Sequence, residues 1–349
     1  MSRDRPRRVR ARALLSALLA ACAPQVVDAV DRVETAGSDG SGGSANSGGT
    51  AGRSGGGTAA CSDLTPCACD PNIDRDGDGT PDCDDGCPDQ PTKIAPGLCG
   101  CELPDDDASE PGVASCQGLV DTLVRRYAFN GTGTAVRDSM GGPDGSIVGS
   151  ALTGAGAVTL EGRMTGEFVD LPNGALSTLD SATVEVWLTW YGGAEWQRIF
   201  DIGDDQTGVE GAQGSGSSYL FLTPRITDDG GRLVRVAYQR TSYPEVQLDA
   251  TRTLPTGTLT HVAVTVDAAS ETLALYLDGA LENSKSMLDA PIRLSVINDI
   301  NVWLGRSQYA ADPDLSASIE EFRIYSTALS AAQVRSSFAA GPSPSFLPP

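Results

Sequence analysis

Residues 259–281, LTHVAVTVDAASETLALYLDGAL, constrain this chain more than any other stretch. Val262, Val264 and Val266 fall on one face of a first run, and Leu273, Leu275 and Leu277 on one face of a second. That is the period of two required of half-buried strands, not the 3.6 of a helix. Residues 267–271 supply a polar loop, and Asp278-Gly279 supplies the positive-φ positions of a tight turn into a third strand at Ala280. Short apolar segments broken by Gly, Pro and Asn continue on both sides of this meander, and strands are predicted over 124–129, 166–169, 183–190, 198–202, 219–222, 233–239, 302–305 and 319–325. The fold class is therefore all-β, a two-sheet antiparallel sandwich over residues 117–340. In 183–190, Val184, Val186 and Leu188 form an aliphatic face, and Glu185, Trp187 and Thr189 an amphipathic one that an open concave face would explain. Ser330 with Gln333 spells a capping box for a short helix docked by Val334 and Phe338, and residues 341–349 read as proline-rich coil.

Upstream the chain changes character three times. Residues 1–22 combine an arginine-rich start with an apolar run from Ala13 to Ala21, too short to span a bilayer, and read as an export signal ending at Cys22. Residues 23–60 are dominated by Gly, Ser, Ala and Thr, a composition that cannot bury enough apolar surface to order itself and so reads as a tether. Of nine cysteines, one is Cys22 and the rest lie in 61–116: Cys61, Cys67, Cys69, Cys83, Cys87, Cys99, Cys101 and Cys116. An even set in a short acidic segment points to disulfides in an oxidising compartment, with 105 pairings open. Zinc is the rival, but Cys67-Ala-Cys69 and Cys99-Gly-Cys101 have C-x-C spacing and no nearby histidine. The formal charge of −21 falls on a body more acidic still once the leader arginines are set aside, which disfavours nucleic acid and anionic membrane and suits divalent cations.

The sharpest local motif is DRDGDGTPDCDD. Asp74, Asp76, Asp78, Asp82 and Asp85 stand at positions 1, 3, 5, 9 and 12, with Gly79 at 6 and the Thr80 carbonyl at 7. This is the spacing of a calcium loop, closed by Asp where Glu is usual. The alternative is a solvated acidic linker. With its flanking cysteines the segment resembles the thrombospondin type 3 repeat, in which aspartates wrap calcium and cysteines staple the chain. Leu19-Ala20-Ala21-Cys22 resembles the lipobox of bacterial lipoproteins; that resemblance implies lipidation at Cys22 and, with Ala23 following, a place in the outer membrane or at the cell surface. YAFNGTGTAVRDSMG, TVEVWLTW, RIFDIGD, LTHVAVTVD, LALYLDGAL, VWLGRS and SIEEFRIYSTALSAAQV resemble, in order, the signatures of the LamG-like jellyroll, within the concanavalin A-like lectin and glucanase superfamily. Leu259 departs from the Trp usual there and is expected to be a smaller core side chain. The resemblance implies a jellyroll that binds glycans or proteins, and a second calcium at Asn130, Asp138 and Glu320, positions equally suited to ordinary turns and surface.

Catalysis lacks a motif. Glycoside hydrolysis needs two carboxylates about 5–10 Å apart, and the Glu-x-Asp-x-Glu strand of the family's glucanases is absent. Glu185 stands alone, Asp201, Asp204 and Asp205 are expected to be solvated around a glycine turn, and Glu320-Glu321 point to opposite faces of a strand. His261, the single histidine, is expected to be structural. The sequence therefore reads as a non-enzymatic, exported, lipid-anchored binding module for carbohydrate or protein, on a calcium-stabilised stalk, with Tyr191, Trp196, Tyr243 and Tyr309 as candidate contacts. A polysaccharide-active enzyme is the alternative.

Overall fold

The computed structural model describes residues 72–97, 99–101, 103–105, 115–162, 166–226, 233–289, 291 and 293–349. The export signal, the tether, Cys22, Cys61, Cys67 and Cys69 lie outside them. In chain order the elements are α1 (Gln117–Thr122), β1 (Leu123–Tyr127), β2 (Thr132–Gly133), β3 (Ala135–Val136), β4 (Gly145–Val148), β5 (Leu152–Thr153), β6 (Val158–Glu161), β7 (Phe168–Leu171), β8 (Ala182–Trp190), β9 (Phe200–Asp204), β10 (Ser218–Thr223), β11 (Arg235–Gln239), β12 (Val246–Asp249), β13 (Leu259–Asp267), β14 (Thr272–Leu277), β15 (Ala280–Ser286), β16 (Asn301–Leu304), β17 (Ser316–Tyr325) and α2 (Ala331–Ala340).

The alternating stretch is the middle of a sheet. Val262, Val264 and Val266 of β13 lie opposite Leu277, Leu275 and Leu273 of β14, and all six are buried in the main core. Each such side chain contributes roughly 1.5–3 kcal/mol on leaving water. Asp278 and Gly279 both take positive φ in the turn to β15, the backbone that a two-residue hairpin demands. One sheet runs β1-β17-β8-β13-β14-β15 with β6 also on β17, and a second runs β12-β11-β10-β9-β16-β7-β4-β3. All of their strand pairs are antiparallel. Apolar rows of both sheets meet in one core, including Val184 and Val186 of β8 and Leu220 and Leu222 of β10.

Several expectations are corrected. The amphipathic face of β8 is not open: Glu185 and Trp187 are buried, covered by α2, whose Ser337 hydroxyl donates to Glu185 at 2.7 Å. His261 packs there too, its ring 4.4 Å from Trp187 and 5.7 Å from Phe338. Burial acts to raise the Glu185 carboxyl, but His261, Arg323 and Ser337 outweigh it and hold it low. Leu259 is 42% exposed and belongs to no core. Residues 341–349 are coil, as read from the sequence, and are packed down: Leu347 is buried, Arg323 donates to the Gly341 and Pro342 carbonyls, and Arg126 to that of Pro348.

A second core lies on the outer face of the β13–β14 sheet. Ala263, Ala274 and Tyr276 share it with Val334 of α2, with Leu347, and with Cys99, Leu103 and Cys116 of the cysteine-rich segment. Disulfides join Cys99 to Cys116 and Cys87 to Cys101, and Cys83 is also disulfide-bonded. The expected stalk is thus packed onto the sandwich at its C-terminal end.

Candidate ligand pocket

The outer face of the second sheet carries an unusual row. Gln247, Ala237, Phe221, Asp201, Trp303, Asp170 and Ser146 are successive cross-strand partners from β12 to β4. Because side chains alternate across a strand, Ile202, Leu220 and Val302 beside them turn to the core. In β9, Gly203 lets β10 approach, since a Cβ there would run into the Ser218 carbonyl. The row is not solvated as expected at its centre: Asp201, Asp204 and Asp205 are all buried. The loops before β9 and after β16 cover it.

Arg198 organises the cover. Its guanidinium carbon lies 3.9 Å from the Phe221 ring centre, Nη2 is 2.8 Å from Asp312 Oδ2 and Nε is 3.3 Å from Asp201 Oδ2. Nη1 donates to the Trp196 carbonyl at 2.6 Å. Nε has no hydrogen-bond partner although it is enclosed. Asp201 Oδ2 also accepts from the Gln308 amide at 2.9 Å, and the Ser307 hydroxyl donates to Asp312 at 2.8 Å. Burial pushes the Asp201 carboxyl up to about 7, against the pull of Arg198 and the Gln308 amide. Burial raises Asp312 too, again opposed by Arg198.

Aromatic rings complete the walls. Tyr309 meets Tyr219 edge-on at 5.9 Å, their hydroxyls are 2.9 Å apart, and the Tyr219 hydroxyl donates to Glu245. Trp196 sits at φ 67°, a left-handed conformation unfavourable for a bulky residue, held by its amide on the Arg225 carbonyl at 3.0 Å. Trp196, Arg198, Phe221, Glu245, Tyr309 and Asp312 enclose a cavity of about 250 Å³. Asp312 also borders a neighbouring cavity of about 430 Å³, where Arg306 stacks at 4.5 Å on both Phe168 and Trp303.

Residues 163–335, which include every lining residue, match the family model of the Concanavalin A-like lectin/glucanases superfamily. They form a concanavalin A-like domain. Solved structures resembling it include domain 4 of AbnA, a GH43 extracellular arabinanase of Geobacillus stearothermophilus, in complex with arabinotriose. That match has 20% identity over 61% of this chain and 97% of that one, with a TM-score of 0.45. The CBM40 of the Ruminococcus gnavus IT-sialidase has 20% identity over 50% of this chain and 91% of that one, with a TM-score of 0.40. The Trypanosoma rangeli sialidase has 15% identity over 65% of this chain but 34% of its own length, with a TM-score of 0.49. No curated protein matches the chain.

Of the four candidate aromatics, the concanavalin A-like domain brings Trp196 and Tyr309 together. Tyr191 and Tyr243 are 49% and 46% exposed and do not line this cavity, Tyr243 being stacked under Arg240 at 3.3 Å. Arg198, Phe221, Glu245 and Asp312 escaped the sequence reading. Their local signal is weak, because the pocket joins loops far apart in the chain.

The acidic segment supports part of its expected geometry. Asp74, Asp76 and Asp78 place carboxylate oxygens within 4.8 Å of one another, and their side chains accept from the amides of Gly77, Gly79, Asp78 and Thr80. Asp76 Oδ2 and Asp85 Oδ2 are enclosed without a hydrogen-bond partner. Asp82 is bound by Arg75 through both its amide and Nε, at 2.8 and 2.5 Å. The second expected set is dispersed in role. Asp138 is buried, accepting from the Arg126 and Met140 amides with Arg125 3.6 Å away; Asn130 is exposed, and Glu320 lies at a bulge of β17. Among the described residues, Asp138 and Glu320 belong to no group of three closely spaced ligand atoms.

Proposed function

We propose that the concanavalin A-like domain is a non-enzymatic carbohydrate-binding module and that a sugar ring occupies the cavity between Trp196 and Tyr309. The observation that carries this is the pairing of apolar ring faces with hydrogen-bonding groups of fixed orientation, Arg198, Asp312 and Glu245, in one recess. Ring faces cover the C–H patches of a pyranose, and carboxylates accept from its hydroxyls. The non-enzymatic reading is supported by how the carboxylates are used: Asp201 is buried beneath Arg198, and Asp312 is bonded to the same guanidinium. A hydrolytic pair needs one carboxyl poised as acid and another as base or nucleophile, both reaching the scissile bond.

The test is a glycan array probed with the exported protein and with Trp196→Ala, Tyr309→Ala and Tyr191→Ala. Loss of a ring–sugar contact is expected to weaken binding about three- to tenfold for the first two and to leave the Tyr191 variant unchanged. Equal loss in all three variants, or product release from an oligosaccharide, overturns the proposal.

The same reading includes calcium in the acidic segment and export with a lipid anchor at Cys22. The enclosed, unpartnered oxygens of Asp76 and Asp85 fit a hard cation held with Asp74, Asp78 and the Thr80 carbonyl. Burial and the neighbouring Asp78, Asp85 and Asp74 raise the Asp76 carboxyl, against the Asp78 amide, as expected of clustered charge without a counter-ion. Calcium there would neutralise the cluster and brace the loop. Among the described residues no helix is long and apolar enough to cross a membrane.

A further inference from the structure

We infer that the glycan admitted to the Trp196–Tyr309 cavity is uncharged, and that sugars bearing a carboxylate are turned away. This rests on the carbohydrate reading above and adds the class of sugar.

Every cation at the cavity among the described residues is already spoken for. Arg198 faces two carboxylates, Asp201 and Asp312. Arg235, with its guanidinium 6.0 Å from the Trp196 ring, forms a two-pronged pair with Asp249 at 2.6 and 2.8 Å. Arg225 pairs with Glu195 at 3.1 Å. A carboxylate recognised by arginine ordinarily takes two parallel N–H donors from one guanidinium; Arg198 and Arg235 spend theirs on the chain's own acids, and the two Nη atoms of Arg225 go to Glu195 and to the Gly193 carbonyl.

The anions are not balanced in the same way. Glu245, on the cavity wall, is held by the Tyr219 hydroxyl and the Gln247 amide, two neutral donors. Asp312 shares its single guanidinium with Asp201. The recess is therefore acidic whenever Asp201 is ionised and at most neutral around Arg198 when it is not, with Glu245 left over in either case. An incoming carboxylate would be desolvated against Glu245 and Asp312 in a partly enclosed space, where like charges repel far more than in open water. A hydroxyl meets the opposite situation. It can donate to Glu245 or Asp312, both of which line the cavity.

The experiment compares pairs of oligosaccharides that differ only in whether a carboxylate is free or methyl-esterified: the methyl ester of sialyllactose with sialyllactose, and methyl-esterified oligogalacturonate with the free acid. Titration calorimetry with the exported protein, at low and at physiological ionic strength, reads the affinity ratio within each pair. The neutral member is expected to bind at least about tenfold more tightly, with the gap narrowing as salt screens the repulsion. Glu245→Gln is expected to move the ratio towards unity by raising affinity for the acidic member. An acidic member bound as tightly as its neutral twin, or a ratio indifferent to Glu245→Gln, overturns the inference while the carbohydrate reading stands. Failure of both members of every pair, and of all other glycans on the array, removes the carbohydrate reading itself.

Discussion

Replacing Asp201 by asparagine separates the charge beneath the pocket from its shape. Asparagine keeps an oxygen to accept the Gln308 amide and is close in volume to a protonated aspartic acid. The folded-state carboxyl lies at about 7, raised from 3.8 chiefly by burial. The folded chain therefore binds this proton more tightly than the unfolded chain. Its contribution to stability is complete below about pH 4 and is lost as pH rises through about 7. Between pH 5 and pH 8 the loss accumulates over roughly two units before it saturates, or about 3 kcal/mol at 1.36 kcal/mol per unit. The variant has no such group and no such loss. Urea denaturation of both proteins at pH 5, 6, 7 and 8, under oxidising conditions, reads this group in the difference, since titrations remote from Asp201 cancel and only Asp312, on the same guanidinium, is coupled to it. The variant is expected to lead the wild type by about 1.5 kcal/mol at pH 5 and to gain about 3 kcal/mol more by pH 8, a further rise in relative Tm of about 6–12 °C. Parallel profiles, or a gap that widens in the opposite sense, would refute the reasoning.

Two other outcomes follow from the cysteine-rich segment. Cys99→Ser with Cys116→Ser opens a loop of separation 17 and is expected to cost about 3 kcal/mol on the loop-entropy relation; thermal melting of the double variant that matches the wild type would show that this bridge does not constrain the chain. Calcium titrated into the full-length protein should bind at about 10⁻⁴–10⁻³ M, the range of extracellular modules, and Asp76→Asn with Asp85→Asn should abolish the heat; a silent titration of the wild type removes the site.

How far the sequence carried depended on whether the signal was periodic. Strands β8, β13 and β14 are visible because Val184 to Leu188, Val262 to Val266 and Leu273 to Leu277 repeat every second residue, and the capping box at Ser330 marks α2 as it stands. What periodicity cannot report is what lies over the other face of a sheet. Glu185 and Trp187 looked like an open surface and prove to be roofed by α2; Asp201 looked solvated and proves to be sealed under Arg198. Short strands such as β2, β3 and β5 have two residues each, too few for any period. Tyr191 and Tyr243 carried the same local signature as Trp196 and Tyr309, rings among polar and glycine residues. Only the paths of the loops over the sheet separate the pair that meets from the pair that does not. Arg198 was read as the start of a strand, whereas β9 begins at Phe200 and leaves the guanidinium free to fold back over Phe221.

The second core has a mechanical meaning. Cys99 and Cys116 are sewn into the back wall of the sandwich beside Tyr276 and Val334, whereas the recess between Trp196 and Tyr309 opens on the front. A pull between a ligand in that recess and the cysteine-rich segment would therefore be carried through both sheets.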